Sequence, residues 1–377
     1  MPIYLDYNAT TPLDRRVLEA MQPYLTGPYG NASSVHRYGR AARDAIEQAR
    51  AQVAALVGAR AEQVIFTSGA TESNNLALQG GAVARGRERL LYGATEHPSV
   101  LETAEALARS GVAVETIAVT REGVVDWPAF EAQLAAAPVR WVALMRANNE
   151  TGVIQDVARA AQLAHDAGAR LHCDAVQAAG KIELDFNALG ADCLSLSAHK
   201  FYGPKGVGAL LKRADLELAP LLYGGGQERG LRGGTENLAA IVGFGRAAEL
   251  ALAELQARAA RWRRLQQRLE TGLRALPGTT IFGADAPRLP NTTQFALPGW
   301  HGEALLMALD RRGVAVSSGS ACASGKGQPS HVLLAMGWPR EIAFGAVRVS
   351  FGCESSEADV DRLLALLAEL HAQVAAA

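Results

Sequence analysis

Apolar positions along this chain fall into short continuous runs separated by stretches of helical period. The runs "QVIFTSG" (63–69), "ERLLYGATEHP" (88–98), "VRWVALMRANNETG" (139–152), "ARLHCDAVQ" (169–177) and "DCLSLSAHK" (192–200) each hold an apolar core of strand length. "GVGALLK" (206–212) is a further strand, interrupted by glycine. Between them "ATESNNLALQGGAVA" (70–84), "PSVLETAEALARSG" (98–111) and "DVARAAQLAHDAG" (156–168) carry the helical period. This alternation predicts an α/β fold, a mostly parallel sheet with helices on both faces.

Ligands of such sheets sit at the C-terminal ends of the strands. The polar residues that follow the strands are Thr71, Glu96 with His97, Asn148 with Asn149, Asp174 with Gln177, and His199 with Lys200. All five sets are expected on one rim. After about residue 235 the pattern changes to a long Arg-rich helical stretch, "ENLAAIVGFGRAAELALAELQARAARWRRLQQRLETGLRAL". It reads as a connector into a smaller α+β domain that holds "TTQFALPG", the helix "HGEALLMALDRRG" and the buried strand "AVRVSFG" with Arg348. The expected division is a large domain over 15–255. The small domain is made of 1–14 and 256–377, with a Gly- and Ser-rich loop at about 317–330.

Composition narrows the function class. The 377 residues suffice for two domains, and 49% are hydrophobic, enough for a large core. A net charge of −1, spread along the chain, argues against nucleic-acid or membrane-surface binding. The N-terminus lacks a secretory pattern, and no apolar run reaches the roughly 20 residues of a membrane span. The four cysteines are scattered, without zinc-type spacing, so no metal site is expected and a reducing cytoplasm is the expected setting.

Lys200 in "SLSAHKFYGPKG" is the first candidate for chemistry. Alone it reads as a solvated surface lysine. Directly after a buried strand, on the ligand rim, it reads as a desolvated amine able to form a Schiff base. Pyridoxal phosphate (PLP) asks for such a lysine, and for an acid on its ring nitrogen. Asp174 can supply that acid, although Asp after a strand is also a common helix cap. Gln177 can reach the ring hydroxyl. Gly69, Ala70 and Thr71, at a helix N-terminus, suit a phosphate, and Ser197 and His199 add donors. His97 can stack on the ring and move protons. Arg348 can hold a substrate carboxylate as a planar fork.

Taken together, "YLDYNATTP", "FTSGATESNN", "TEHPSV", "NNETG", "HCDAVQAAGK", "SAHKFYGPKGVG", "RGGTEN", "SSGSACAS" and "VRVSFG" span essentially the whole chain. In that order they resemble the cysteine desulfurases of iron–sulfur cluster assembly, within the class V aminotransferase family of fold-type I PLP enzymes. The resemblance implies that Lys200 holds PLP, Asp174 pairs with its pyridine nitrogen, Gln177 with its ring oxygen, and His97 stacks on it. It implies phosphate contacts from Ala70, Thr71, Ser197 and His199, with Thr235 reaching in from the second copy of a homodimer. Asn149 and Arg348 would bind the substrate carboxylate. Cys322, in "SSGSACASGKGQPS", would take sulfur from L-cysteine as a persulfide, leave L-alanine, and pass the sulfur to a scaffold or other acceptor protein. Two departures, Cys173 and a variable Asn8, are expected to leave the mechanism untouched. A selenocysteine lyase, a class V aminotransferase and a non-catalytic sulfur-carrier platform are the competing readings. An aminotransferase would not need Cys322.

Overall fold

The computed structural model describes residues 2–27, 29–83, 89–318 and 328–375. Twelve strands run in chain order: β1 (Ile3–Tyr4), β2 (Val64–Thr67), β3 (Arg89–Gly93), β4 (Val114–Ile117), β5 (Val139–Ala143), β6 (Arg170–Asp174), β7 (Cys193–Ser197), β8 (Gly208–Lys212), β9 (Thr280–Ile281), β10 (Thr292–Ala296), β11 (Val314–Ala315) and β12 (Ala346–Ser350). Seven of them form one sheet in the order β2-β8-β7-β6-β5-β3-β4.

The sheet is parallel except at β8, which runs antiparallel to both β2 and β7. Chain length explains that exception. Only residues 198–207 join β7 to β8, and a parallel crossover needs about a dozen or more residues. Strands β2 and β7 are buried throughout, as is β8 but for Lys212, because helices cover both faces. The edge strand β4, with two exposed residues of four, lacks the continuous apolar run.

Local signals set the helix starts that face the cleft. His97 is the N-cap of the helix Pro98–Arg109, and Pro98 sits where its missing N–H leaves no bond unmade. The helix Arg37–Leu56 buries Ala42, Ala45, Ile46, Ala49 and Val53, a stripe of helical period. It packs against the long helix Leu238–Arg274, where a Cβ at Gly245 would stand 2.6 Å from Ala49 Cα. Only glycine permits that approach.

Two main hydrophobic clusters divide the chain. One runs from Val17 to Ala251 beneath the seven-stranded sheet. The other gathers Leu5 with Trp262, Leu269, Phe295, Val347 and residues out to Leu370. The 37-residue helix Leu238–Arg274 contributes to both. In the second cluster β12-β10-β9 form an antiparallel sheet, and β1 pairs with β11 in parallel. No helix among the described residues is long and apolar enough to cross a membrane.

Candidate active site

A cleft of about 740 Å³ opens at the C-terminal ends of the central strands. It is lined by Ala70, Thr71, His97, Asn149, Asp174, Gln177, Ser197, His199, Lys200 and Arg348. Arg348 comes from β12, so the smaller sheet closes one side. Thr235 is exposed and lies off the cleft. Cys322 lies outside the described residues.

The rim expectation needs two corrections. Glu96 and Asn148 are each 1% exposed and lie beneath the cleft rather than on it. Asn148 Oδ1 accepts the N–H groups of Glu150 and Thr151, both at 2.9 Å, and so shapes the turn that presents Asn149. Glu96 Oε1 accepts the Met145 N–H at 2.5 Å. Burial, followed by the proximity of Asp174, pushes the Glu96 carboxyl well above the usual carboxylate range.

Asn8 is a third correction. Lys200 Nζ donates to the main-chain carbonyls of Asn8 at 2.7 Å and Ala9 at 2.8 Å. Gln177 Nε2 donates to the same Asn8 carbonyl at 3.0 Å. The Asn8 side chain accepts from Lys181 Nζ at 2.8 Å and donates to Thr292 Oγ1 at 2.9 Å. Asn8 therefore sits at the centre of the site. Cys173, by contrast, is fully buried, and burial pushes its thiol up.

Asp174 ends β6, where its Oδ1 accepts the Val176 N–H at 3.0 Å and its Oδ2 accepts from Asn74 at 2.8 Å. No helix starts here, residues 176–181 being turn, so the side chain closes a turn onto Val176 rather than capping a helix. Burial lowers the affinity of His97 for a proton; Lys200 and His331 act in the same direction, and Asp174 opposes them. His199, with Nδ1 3.1 Å from Thr10 Oγ1, is driven down to about 4 by burial and by Lys200, Lys205 and Lys181.

One end of the cleft is built from the start of the helix Ala70–Val83. Its first-turn N–H groups have no partners within the helix. A Cβ at Gly69 would meet no protein atom within 4 Å, so the space before this turn is open. At the opposite end Arg348 donates to Asp6 at 2.5 Å and to the Asn149 carbonyl at 2.9 Å, while its buried Nε has no partner among the described residues.

A family profile described as aminotransferase class-V matches residues 3–363. The curated relative "Cysteine desulfurase IscS" of Anaeromyxobacter dehalogenans (strain 2CP-C) is 46% identical over 98% of this chain and 92% of its own length. The chain belongs to the cysteine desulfurases of the class-V aminotransferase family. Solved structures agree. One titled "NIFS-LIKE PROTEIN" superposes with a TM-score of 0.90 at 38% identity, covering 98% of this chain and 99% of that one. Another, "SspA in complex with cysteine", has a TM-score of 0.81 at 32% identity, covering 93% and 98%. The fold-type I architecture expected from the family is the one observed.

As a member of this family the chain also shows groups that its sequence did not flag. Lys181 is 3% exposed and donates to Gln177 Oε1 at 2.5 Å, which orients the Gln177 NH2 as the donor, with one N–H on the Asn8 carbonyl. Burial, then Lys200 and Arg348, hold its amine well below the ordinary lysine range. The only sequence signal was its place four residues after Gln177 in "AVQAAGK". Glu150 accepts from Ser330 Oγ at 2.6 Å and Gln294 at 3.1 Å, and burial raises its carboxyl. His331 Nε2 lies 3.0 Å from the Glu96 carbonyl.

Proposed function

We propose that the cleft binds PLP and that the chain converts L-cysteine to L-alanine, passing the sulfur to Cys322 as a persulfide. The carrying observation is that Lys200, Asp174, Gln177, His97 and the turn after Gly69 surround one cleft that also takes in Arg348. Amine, carboxylate, amide, imidazole and helix-start donors are the set PLP needs, so these residues fit it. Lys200 would hold the cofactor, Asp174 its pyridine nitrogen and Gln177 its ring oxygen. Ala70, Thr71, Ser197 and His199 would hold its phosphate. When bound, PLP supplies an electron sink that lets the substrate lose its Cα proton.

The protein's own groups do the rest. Arg348 and Asn149 bind and orient the carboxylate of the substrate. Lys200 Nζ, with His97 beside it, moves the Cα proton. The Cys322 thiolate attacks the substrate sulfur; an S–S bond forms as the C–S bond breaks. One thiol and one cysteine thus give one persulfide and one alanine. The chain enters the Cys322 stretch from Ser317, whose main chain pairs with that of Arg348, and leaves it through Ser330, which donates to Glu150. Both attachment points are bonded to residues that line the cleft, Arg348 and Glu150, which supports action of Cys322 there. The relative solved with cysteine supports that substrate.

The two hydrophobic clusters support a large domain over 15–255 and a small domain made of 1–14 and 256–377. A homodimer is supported by exposed apolar side chains, including Tyr29 (97%), Val35 (88%) and Tyr223 (83%). In it Thr235 of the second copy would reach the phosphate. The described cysteines are all free thiols, in keeping with a reducing cytoplasm. The persulfide would supply an iron–sulfur scaffold or another sulfur-acceptor protein. The test is alanine formed from L-cysteine with a reductant present. The wild type should form it and Cys322→Ala almost none; equal yields would favour a lyase that does not use the thiol.

A further inference from the structure

Beneath the cleft lies a buried polar chain that the proposed chemistry does not use. Asn74, His172, Cys193 and Ser195 are each 0% exposed. Asn74 Nδ2 lies 2.8 Å from Asp174 Oδ2 and 2.8 Å from Ser99 Oγ. Its Oδ1 lies 2.9 Å from His172 Nε2, and His172 Nδ1 lies 3.3 Å from Cys193 Sγ. At the other end Ser99 Oγ lies 2.9 Å from His97 Nδ1.

One backbone bond sets the direction of every link. The Ser99 N–H donates to His97 Nδ1 at 3.1 Å, the side-chain cap of the helix Pro98–Arg109. Nδ1 therefore carries no proton, and the Ser99 hydroxyl donates to it as well. Ser99 Oγ must then accept from Asn74, which turns the Asn74 NH2 towards both Ser99 and Asp174, and a carboxylate can only accept. The Asn74 oxygen faces His172, whose Nε2 must carry the proton. His172 Nδ1 accepts from the Cys193 thiol. His172 stays neutral, since burial holds it down at about 4.

We propose that Asn74 is a positioning residue that sets Asp174 and His97 together, through one buried amide with a fixed orientation. The inference rests on the reading of the cleft as a PLP site. Asp174 is aimed by one N–H of this amide. His97 is kept with its single proton on Nε2, the form that can donate into the cleft. Protonation of His97 at Nδ1 would break the cap, so the ring resists becoming a cation.

Selective ¹⁵N labelling of histidine tests the polarity in the wild type without cofactor or turnover. Both His97 and His172 should be protonated at Nε2 and bare at Nδ1; the opposite tautomer at either would overturn the proposal. Asn74→Asp keeps the shape but holds at most one O–H, so it cannot serve both Ser99 and Asp174. Its dissociation constant for PLP should rise about tenfold to a hundredfold, and the pH midpoint of the visible band of bound PLP should move. Unchanged binding and an unchanged midpoint in the folded variant would overturn the proposal. Ser99→Ala cuts only the His97 branch. It should lower kcat and shift its pH profile while PLP affinity holds, and an unshifted profile would count against the proposal. A wild type that binds no PLP would sink the cofactor reading instead, and the tautomers would still decide the network.

Discussion

Lys200 Nζ donates to the main-chain carbonyl of Asn8 at 2.7 Å. The N-terminal segment thus reaches across to the proposed cofactor lysine, and it does so through backbone rather than side chain. The Asn8 side chain has separate work, accepting from Lys181 and Asn291 and donating to Thr292. Asn8→Ala keeps the carbonyl but leaves the buried Lys181 amine short of an acceptor. Its unfolding free energy in denaturant should fall by roughly 1–3 kcal/mol. Stability equal to the wild type would contradict the assigned contacts.

Lys181 fixes which way the Gln177 amide faces. Lys181→Met keeps length and removes the donor, so Gln177 can turn and PLP affinity should drop about tenfold. A pH signature accompanies this. The folded amine has a depressed affinity for protons, while the unfolded one titrates near 10.5. Between the two the unfolded state binds more protons, so stability rises with pH. The margin of the wild type over Lys181→Met should widen as pH climbs towards 10.5. A margin independent of pH would show that Lys181 is not held neutral.

His172 gives the corresponding acid-side prediction. Its folded value of about 4 lies below its ordinary 6.5. The stability present above 6.5 should be lost as pH falls towards 4, by roughly 3 kcal/mol for this fully buried ring. His172→Gln should flatten the unfolding free energy across that window. A wild-type curve as flat as the variant's would remove His172 from the acid response.

Arg348 presents a fork at the proposed substrate end of the cleft. Arg348→Lys keeps the charge and loses the paired geometry, so KM for L-cysteine should rise about tenfold to a hundredfold. Steady-state kinetics should place most of the loss in KM rather than kcat. A loss confined to kcat would move Arg348 from binding to positioning.

Much of this was legible in the sequence, for physical reasons that also mark the gaps. The buried central strands announced themselves as apolar runs, and the residues after them fell on one cleft. Strand β4 stayed hidden because "VETI" is a half-exposed edge with polar residues in its middle. Glu96 and Asn148 follow strands as His97 and Asn149 do, but point inward to satisfy buried N–H groups. Asn8 was underrated because its contact with Lys200 is made by a carbonyl that any residue carries. Asn74 and Lys181 were silent for another reason: polar side chains usually face solvent, and only tertiary packing shows these two buried with full partners.

The most direct measurement is the mass of the chain after brief exposure to L-cysteine with PLP bound and no reductant, followed by peptide mapping. The wild type should gain the mass of one sulfur atom on the peptide holding Cys322, and Cys322→Ala should gain none. Alanine released with no sulfur retained at Cys322 would contradict the account.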